Sequence, residues 1–138
     1  MVRKVLLRPL RRATAYLMLA AALAAAAGCN NQPLKVSAVQ LGKSLNSDNS
    51  VGNHATTFKP SDTVYAAVLT NASGSGTIET KWYFRNTRVS EMKKDVSYHG
   101  EAATEFRFHS TDGFPPGAYR VEFFLDGQPV GERTFKIE

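Results

Sequence analysis

The sequence predicts an all-β fold: a single antiparallel β-sandwich of about seven strands. Three observations predict it. After residue 30 there is no long helical pattern, only short β-rich segments at regular spacing. Thr77 to Asn86 alternates with period two. Asp126-Gly127 sits between two β-rich runs, a strong signal for a type I′ hairpin.

The segments follow in order. Residues 29–33 form a short polar tether ending in Pro33. Leu34, Val36, Ala38 or Val39, and Leu41 alternate loosely and form a first strand. Gly42 to Asn53 is rich in Ser, Asn and Gly and reads as a loop. Thr56 to Lys59 makes a short edge piece, ended by Pro60. Asp62 to Asn71 is rich in Val, Tyr, Ala and Leu and reads as a central strand. Ser73-Gly74-Ser75-Gly76 is expected to turn the chain as a flexible hairpin. In the next strand Ile78, Thr80, Trp82 and Phe84 share one face, and Glu79, Lys81, Tyr83 and Arg85 the other. Arg88 to His99 is polar apart from Val89, Met92 and Val96, and reads as an irregular edge strand or a short helical turn. Ala103 to His109 is a strand with Phe106 and Phe108 inward. Asp112 to Gly117 is a rigid turn. Ala118 to Leu125 and Pro129 to Ile137 flank the Asp126-Gly127 hairpin.

Composition narrows the function classes. The chain has 138 residues, 17 basic and 12 acidic, net +5. Arg3, Lys4, Arg8, Arg11 and Arg12 cluster at the N-terminus. From Cys29 onward 12 basic residues meet 12 acidic ones, so nothing there supports nucleic-acid binding. Residues 34–138 suit one domain with one core. A single cysteine allows no internal disulfide, so packing alone must hold the domain.

Ala13 to Ala27 is an uncharged apolar run, shorter than the roughly 20 residues of a membrane span but suited to a signal-peptide core. It ends in Ala26-Ala27-Gly28-Cys29. These residues resemble the signal sequence and lipobox of bacterial lipoproteins. That family usually has Leu three before the cysteine; here the position is Ala26, with Leu23 upstream. The resemblance implies that residues 1–28 are removed and that Cys29 is thioether-linked to diacylglycerol and N-acylated, so that the lipid bilayer is one partner. Asp after the cysteine directs inner-membrane retention in enterobacterial-type sorting. Asn30 stands there instead, which implies the outer membrane, facing the periplasm.

Two further features resemble bacterial immunoglobulin-like domains over roughly residues 34–138. Setting the short edge piece aside, Trp82 lies in the third strand, where such folds bury a tryptophan. Gly117-Ala118-Tyr119-Arg120-Val121 resembles the tyrosine corner, with Val121 in the place of a core cysteine; Pro115 stands where antibody domains carry an acidic residue. The resemblance implies a fold, and little about function.

No motif carries catalysis, and no cofactor is implied. His54, His99 and His109 are scattered, and no HxxxH, HExxH, CxxC or GxSxG pattern occurs. Ser73 to Gly76 joins strands, whereas phosphate cradles open a helix. Glu101 and Glu105 read as solvated carboxylates. The immunoglobulin-like resemblance makes the third and sixth strands neighbours. Parity then turns Tyr83 and Phe124 outward, flanked by Arg85 and Arg120, residue types that form interface hot spots. The competing reading covers Phe124 with the Arg88–His99 segment.

The expected function is a non-enzymatic envelope lipoprotein whose domain binds or scaffolds another envelope protein. One alternative is an inhibitor or immunity lipoprotein that inserts Gly42–Asn53 into a cell-wall-directed enzyme. Another is an enzyme assembled from loops around His99, His109 and Asp112.

Overall fold

The computed structural model describes residues 32–138, so Cys29 and the lipobox expected around it lie outside the described residues. Eight strands form two sheets: β1 (Val36–Gly42), β2 (Thr57–Phe58), β3 (Val64–Thr70), β4 (Gly74–Phe84), β5 (Thr87–Tyr98), β6 (Ala102–Phe108), β7 (Gly117–Leu125) and β8 (Gln128–Ile137). One sheet has the order β1-β3-β6, the other β2-β8-β7-β4-β5. The fold is all-β, and the sheets face each other as a sandwich. All pairings between strands are antiparallel except that of β2 with β8, which is parallel, and the isolated Pro33–Ser75 bridge is parallel too, so the expected purely antiparallel arrangement fails at these two places.

The core follows from alternation. Val64, Ala66 and Val68 of β3 with Phe106 of β6 meet Ile78, Trp82, Val121 and Phe123 of the larger sheet, all essentially without solvent contact. The Trp82 ring stacks on Phe108 at 4.6 Å and meets Phe135 edge-on at 6.1 Å. Its indole N–H donates to the buried Thr80 hydroxyl at 2.9 Å. The tyrosine corner closes as expected: the Tyr119 hydroxyl donates to the Pro115 carbonyl at 2.7 Å.

Long cationic side chains seal both lateral openings between the sheets. On one side Arg133 of β8 donates to the Val39 carbonyl of β1 at 3.1 Å. On the other Lys94 of β5 reaches the Glu105 carbonyl of β6 and pairs with the Glu105 carboxylate at 2.8 Å. A backbone acceptor at each sheet margin is thereby occupied, which blunts edge-to-edge pairing.

Three local expectations change. Ser73 to Gly76 is not a hairpin. β3 and β4 belong to different sheets, the crossing is made by Asn71–Ser73, and Gly74 already begins β4. A Cβ on Gly74 would lie 2.3 Å from the Gln32 carbonyl, so glycine lets the incoming chain run against β4, where Pro33 bridges Ser75. Of the two readings of Arg88 to His99, the irregular edge strand holds and the helical turn does not: Arg88 to Tyr98 belong to the 12-residue edge strand β5, whose register shifts at Val89, and His99 follows it. Gly42 to Asn53 is a small hairpin rather than an open loop, with Lys43 donating to Asn53 at 2.7 Å and Leu45 bridging Val51. Its Val51 amide donates to the Gln40 side chain at 3.0 Å, which ties it to β1.

Candidate partner-binding face

The outer surface of the five-stranded sheet carries the residues singled out by parity. β4 and β7 pair so that Tyr83 lies opposite Arg120, Lys81 opposite Glu122, and Glu79 opposite Phe124. Tyr83 and Phe124 therefore sit two rows apart, roughly 13 Å along the strands. Both are half-buried. β5 runs beside β4 in the plane of the sheet, so the Arg88–His99 segment lies alongside Phe124's sheet rather than over it.

Each ring has its own cation. The Arg120 guanidinium lies 4.3 Å from the Tyr83 ring centre, and the Lys81 ammonium 4.7 Å from that of Phe124. The cations are in turn engaged. Arg120 pairs with Glu122 at 3.8 Å, and Lys81 with Glu79 at 3.5 Å. Lys93 of β5 adds pairs with Glu79 at 3.4 Å and Glu91 at 3.8 Å. Hydrogen bonding to Glu122 holds the proton on Tyr83 and raises its pKa above the usual tyrosine value. Burial works against ionisation of Glu79, but Lys93 and Lys81 outweigh it and lower its pKa. The face is a charge-balanced lattice with two aromatic rings set into it.

The structure corrects one member of this set. Arg85 leaves the strand with φ 55°, its amide donating to the Ala118 carbonyl at 2.9 Å. Its guanidinium lies over Phe84, 5.0 Å from the ring centre, so it serves the opposite face of β4 and does not flank Tyr83 and Phe124. Strand alternation fixes a side chain's direction only while the backbone stays extended, and Arg85 is one residue past that limit. The flanking cation that the sequence reading missed is Lys81, legible only once the β4–β7 register is known.

The groups of the loop-assembled enzyme alternative are exposed, and His99 lies at the other end of β6 from His109 and Asp112. Among the described residues no group of three or more His, Cys, Asp or Glu side chains is placed to hold a metal ion. No helix among them is long and apolar enough to cross a membrane. Hollows open among the described residues. One, about 510 Å³, lies between the Lys43–Asn53 hairpin and the β3 and β6 ends, and its lining is mixed, with Asp48 and Glu101 beside Leu69 and Tyr98. Another, about 270 Å³, is aromatic and lies between the Val89 end of β5 and the Phe108 end of β6.

No protein-family model and no curated protein matches the sequence. Solved structures do match in shape. An immunoglobulin-like protein from Pseudomonas aeruginosa is 11% identical with a TM-score of 0.55, the match covering 80% of this chain and 100% of that one. An alkylpurine DNA glycosylase from Pseudomonas fluorescens, bound to DNA containing an abasic-site analogue, is 8% identical with a TM-score of 0.51; the match covers 77% of this chain but 30% of that one. At such identities the likeness concerns fold alone. What the sandwich, its buried tryptophan, its tyrosine corner and these neighbours together establish is an immunoglobulin-like all-β domain.

Proposed function

We propose that this chain is a membrane-anchored envelope lipoprotein whose immunoglobulin-like domain binds or scaffolds another envelope protein through the Tyr83, Arg120 and Phe124 face. The observation that carries the reading is that two aromatic rings stand half-exposed on the outer sheet surface, with β5 beside them rather than above them. Aromatic rings next to arginine are typical anchors of protein interfaces. A partner that slides over Phe124 displaces the Lys81 ammonium onto its own acidic groups and buries the ring. The Glu79 and Glu122 carboxylates orient the approach.

Anchoring at Cys29 supplies the rest. A single acyl chain binds a membrane only marginally, at about 0.8 kcal/mol per buried CH₂, whereas the diacyl and N-acyl chains together hold firmly. Residence in one thin layer raises the effective concentration of domain and partner, so that weak contacts suffice. The inhibitor alternative would send the Gly42–Asn53 segment into a foreign cleft. That segment is a hairpin fastened to its own sheet, and nothing else favours this reading.

The test is affinity capture from membranes with the acylated protein, comparing wild type, Tyr83→Ser and Phe124→Ser. The expected result is loss of one and the same partner in both variants, with stability changed by no more than about 1 kcal/mol, as for surface positions. Retention of every partner together with a large loss of stability in Phe124→Ser would mean that the ring is structural, and would end the proposal.

A further inference from the structure

The aromatic cleft at the far end of the sandwich belongs to none of the features above. The described chain enters at the end where β1 begins and β3 finishes. The cleft lies at the other end, where β4 and β6 finish and β5 and β7 begin. Phe84, Phe108, Phe114 and Tyr119 line it, with Val89 and Pro115 beside them and His109 and Ser110 as its polar groups. Val89 is 48% exposed, the one large apolar side chain left exposed among the described residues. The aromatic rings are fixed by one another: Phe84 packs on Tyr119 and Phe108 on Phe114, each at 4.7 Å.

Size and charge define what would fill it. About 270 Å³ falls short of the usual 300–1,000 Å³ of small-molecule sites, but it accommodates one large side chain whose parent chain stays outside. The charged residues next to the lining in the chain are Arg85, which follows Phe84, Arg88, which precedes Val89, and Asp112, two before Phe114. Arg88 is tied to Glu91 at 3.5 Å. The turn carrying Asp112 leans toward Pro60, where Phe114 donates its amide to the Pro60 carbonyl at 2.9 Å; Pro60 follows β2, the sheet edge opposite β5. Arg85 is exposed, lies over Phe84, and takes part in none of the ion pairs among the described residues. An apolar slot thus stands beside a guanidinium that lacks a carboxylate.

We infer that this cleft receives an aromatic side chain from an acidic segment of a partner protein, the ring entering between Val89 and Phe114 and a neighbouring carboxylate pairing with Arg85. The site is separate from the Tyr83 and Phe124 face, so either assignment stands or falls without the other.

Three acetylated tripeptide amides test it: Asp-Phe-Asp, the uncharged Asn-Phe-Asn, and the ringless Asp-Ala-Asp. Each is titrated into the full chain in zwitterionic micelles while the resonances of Val89 and Phe114 are followed. Asp-Phe-Asp is expected to shift both saturably, Asn-Phe-Asn to bind about threefold to fivefold more weakly, as one exposed ion pair allows, and Asp-Ala-Asp not to bind. Arg85→Gln should abolish the difference between the first two peptides, and Val89→Glu should repel the acidic one. Both positions are exposed, and unchanged Trp82 resonances report an intact fold. Equal binding of Asp-Phe-Asp and Asn-Phe-Asn to wild type would overturn the charge assignment. Absence of saturable shifts at Val89 and Phe114, or undiminished binding to Val89→Glu, would overturn the site.

Discussion

Tyr119 shows how much one side chain fixes. Its hydroxyl ties the Pro115 turn to β7, while its ring stacks on Phe135 at 5.2 Å and packs on Phe84. Tyr119→Phe keeps the ring and loses the bond. Because Pro115 is exposed and water can take the vacated carbonyl, the expected cost is only about 1 kcal/mol, read as a lower urea midpoint with an unchanged slope. The phenol also sets an alkaline limit. Burial raises the pKa of Tyr119 above 10.0, and hydrogen bonding to Glu122 does the same for Tyr83. The folded state therefore holds these protons longer than the unfolded chain. The resulting stability is complete below pH 10 and is lost as pH climbs through the raised values. Urea midpoints measured from neutral to alkaline pH should fall in wild type and fall less in the double variant Tyr83→Phe, Tyr119→Phe; parallel curves would refute the assignment. Trp82 and Tyr119 were legible in the sequence because each sits in a periodic strand or beside a turn of known chemistry. Arg85 was not, because its direction depends on a single backbone angle beyond the strand.

At the scale of elements, the β7–β8 hairpin is the plainest case of local chemistry choosing structure. Asp126 and Gly127 take φ 49° and 82°, the positive pair a type I′ turn requires. Asp126 accepts the Thr77 amide at 2.8 Å, which locks the turn to β4. Gly127→Val places a branched residue at positive φ and should cost about 1–2 kcal/mol, checked by thermal and urea denaturation. The lateral seals are a second element-level device. Arg133→Ala frees the Val39 carbonyl at the β1 margin, and Lys94→Ala frees that of Glu105 on β6. Each is expected to lower stability by at most about 1 kcal/mol, since both side chains are partly solvated, while the double variant should self-associate through the uncovered edges in light scattering. A double variant that stays monomeric would show the seals to be incidental. These elements also explain the limits of sequence reading. β5 is an edge strand whose residues alternate only between exposed and half-buried, so its apolar signal is faint and Arg88 to His99 read as irregular. Ser73 to Gly76 looked like a hairpin because glycine and serine mark tight turns equally well whether the chain pairs with itself or crosses to another sheet. That distinction is tertiary, and composition does not carry it.

For the molecule as a whole, the sandwich closes without a disulfide. Its core is continuous between the sheets, and every buried side-chain nitrogen or oxygen among the described residues has a hydrogen-bond partner. Trp82→Ala should remove about 3–5 kcal/mol, enough to leave the domain largely unfolded if its total stability is ordinary for its size. The charge balance from Cys29 onward and the aromatic rings on the sheet surface and in the distal cleft are what a tethered binding module would need. The tether is the claim on which the functional account rests. The most direct measurement is metabolic labelling with a clickable palmitate analogue, comparing wild type with Cys29→Ser in the native envelope. The account predicts label on wild type, none on Cys29→Ser, and release of the variant from the membrane fraction. Equal labelling of the two proteins, or no label on wild type, would contradict it.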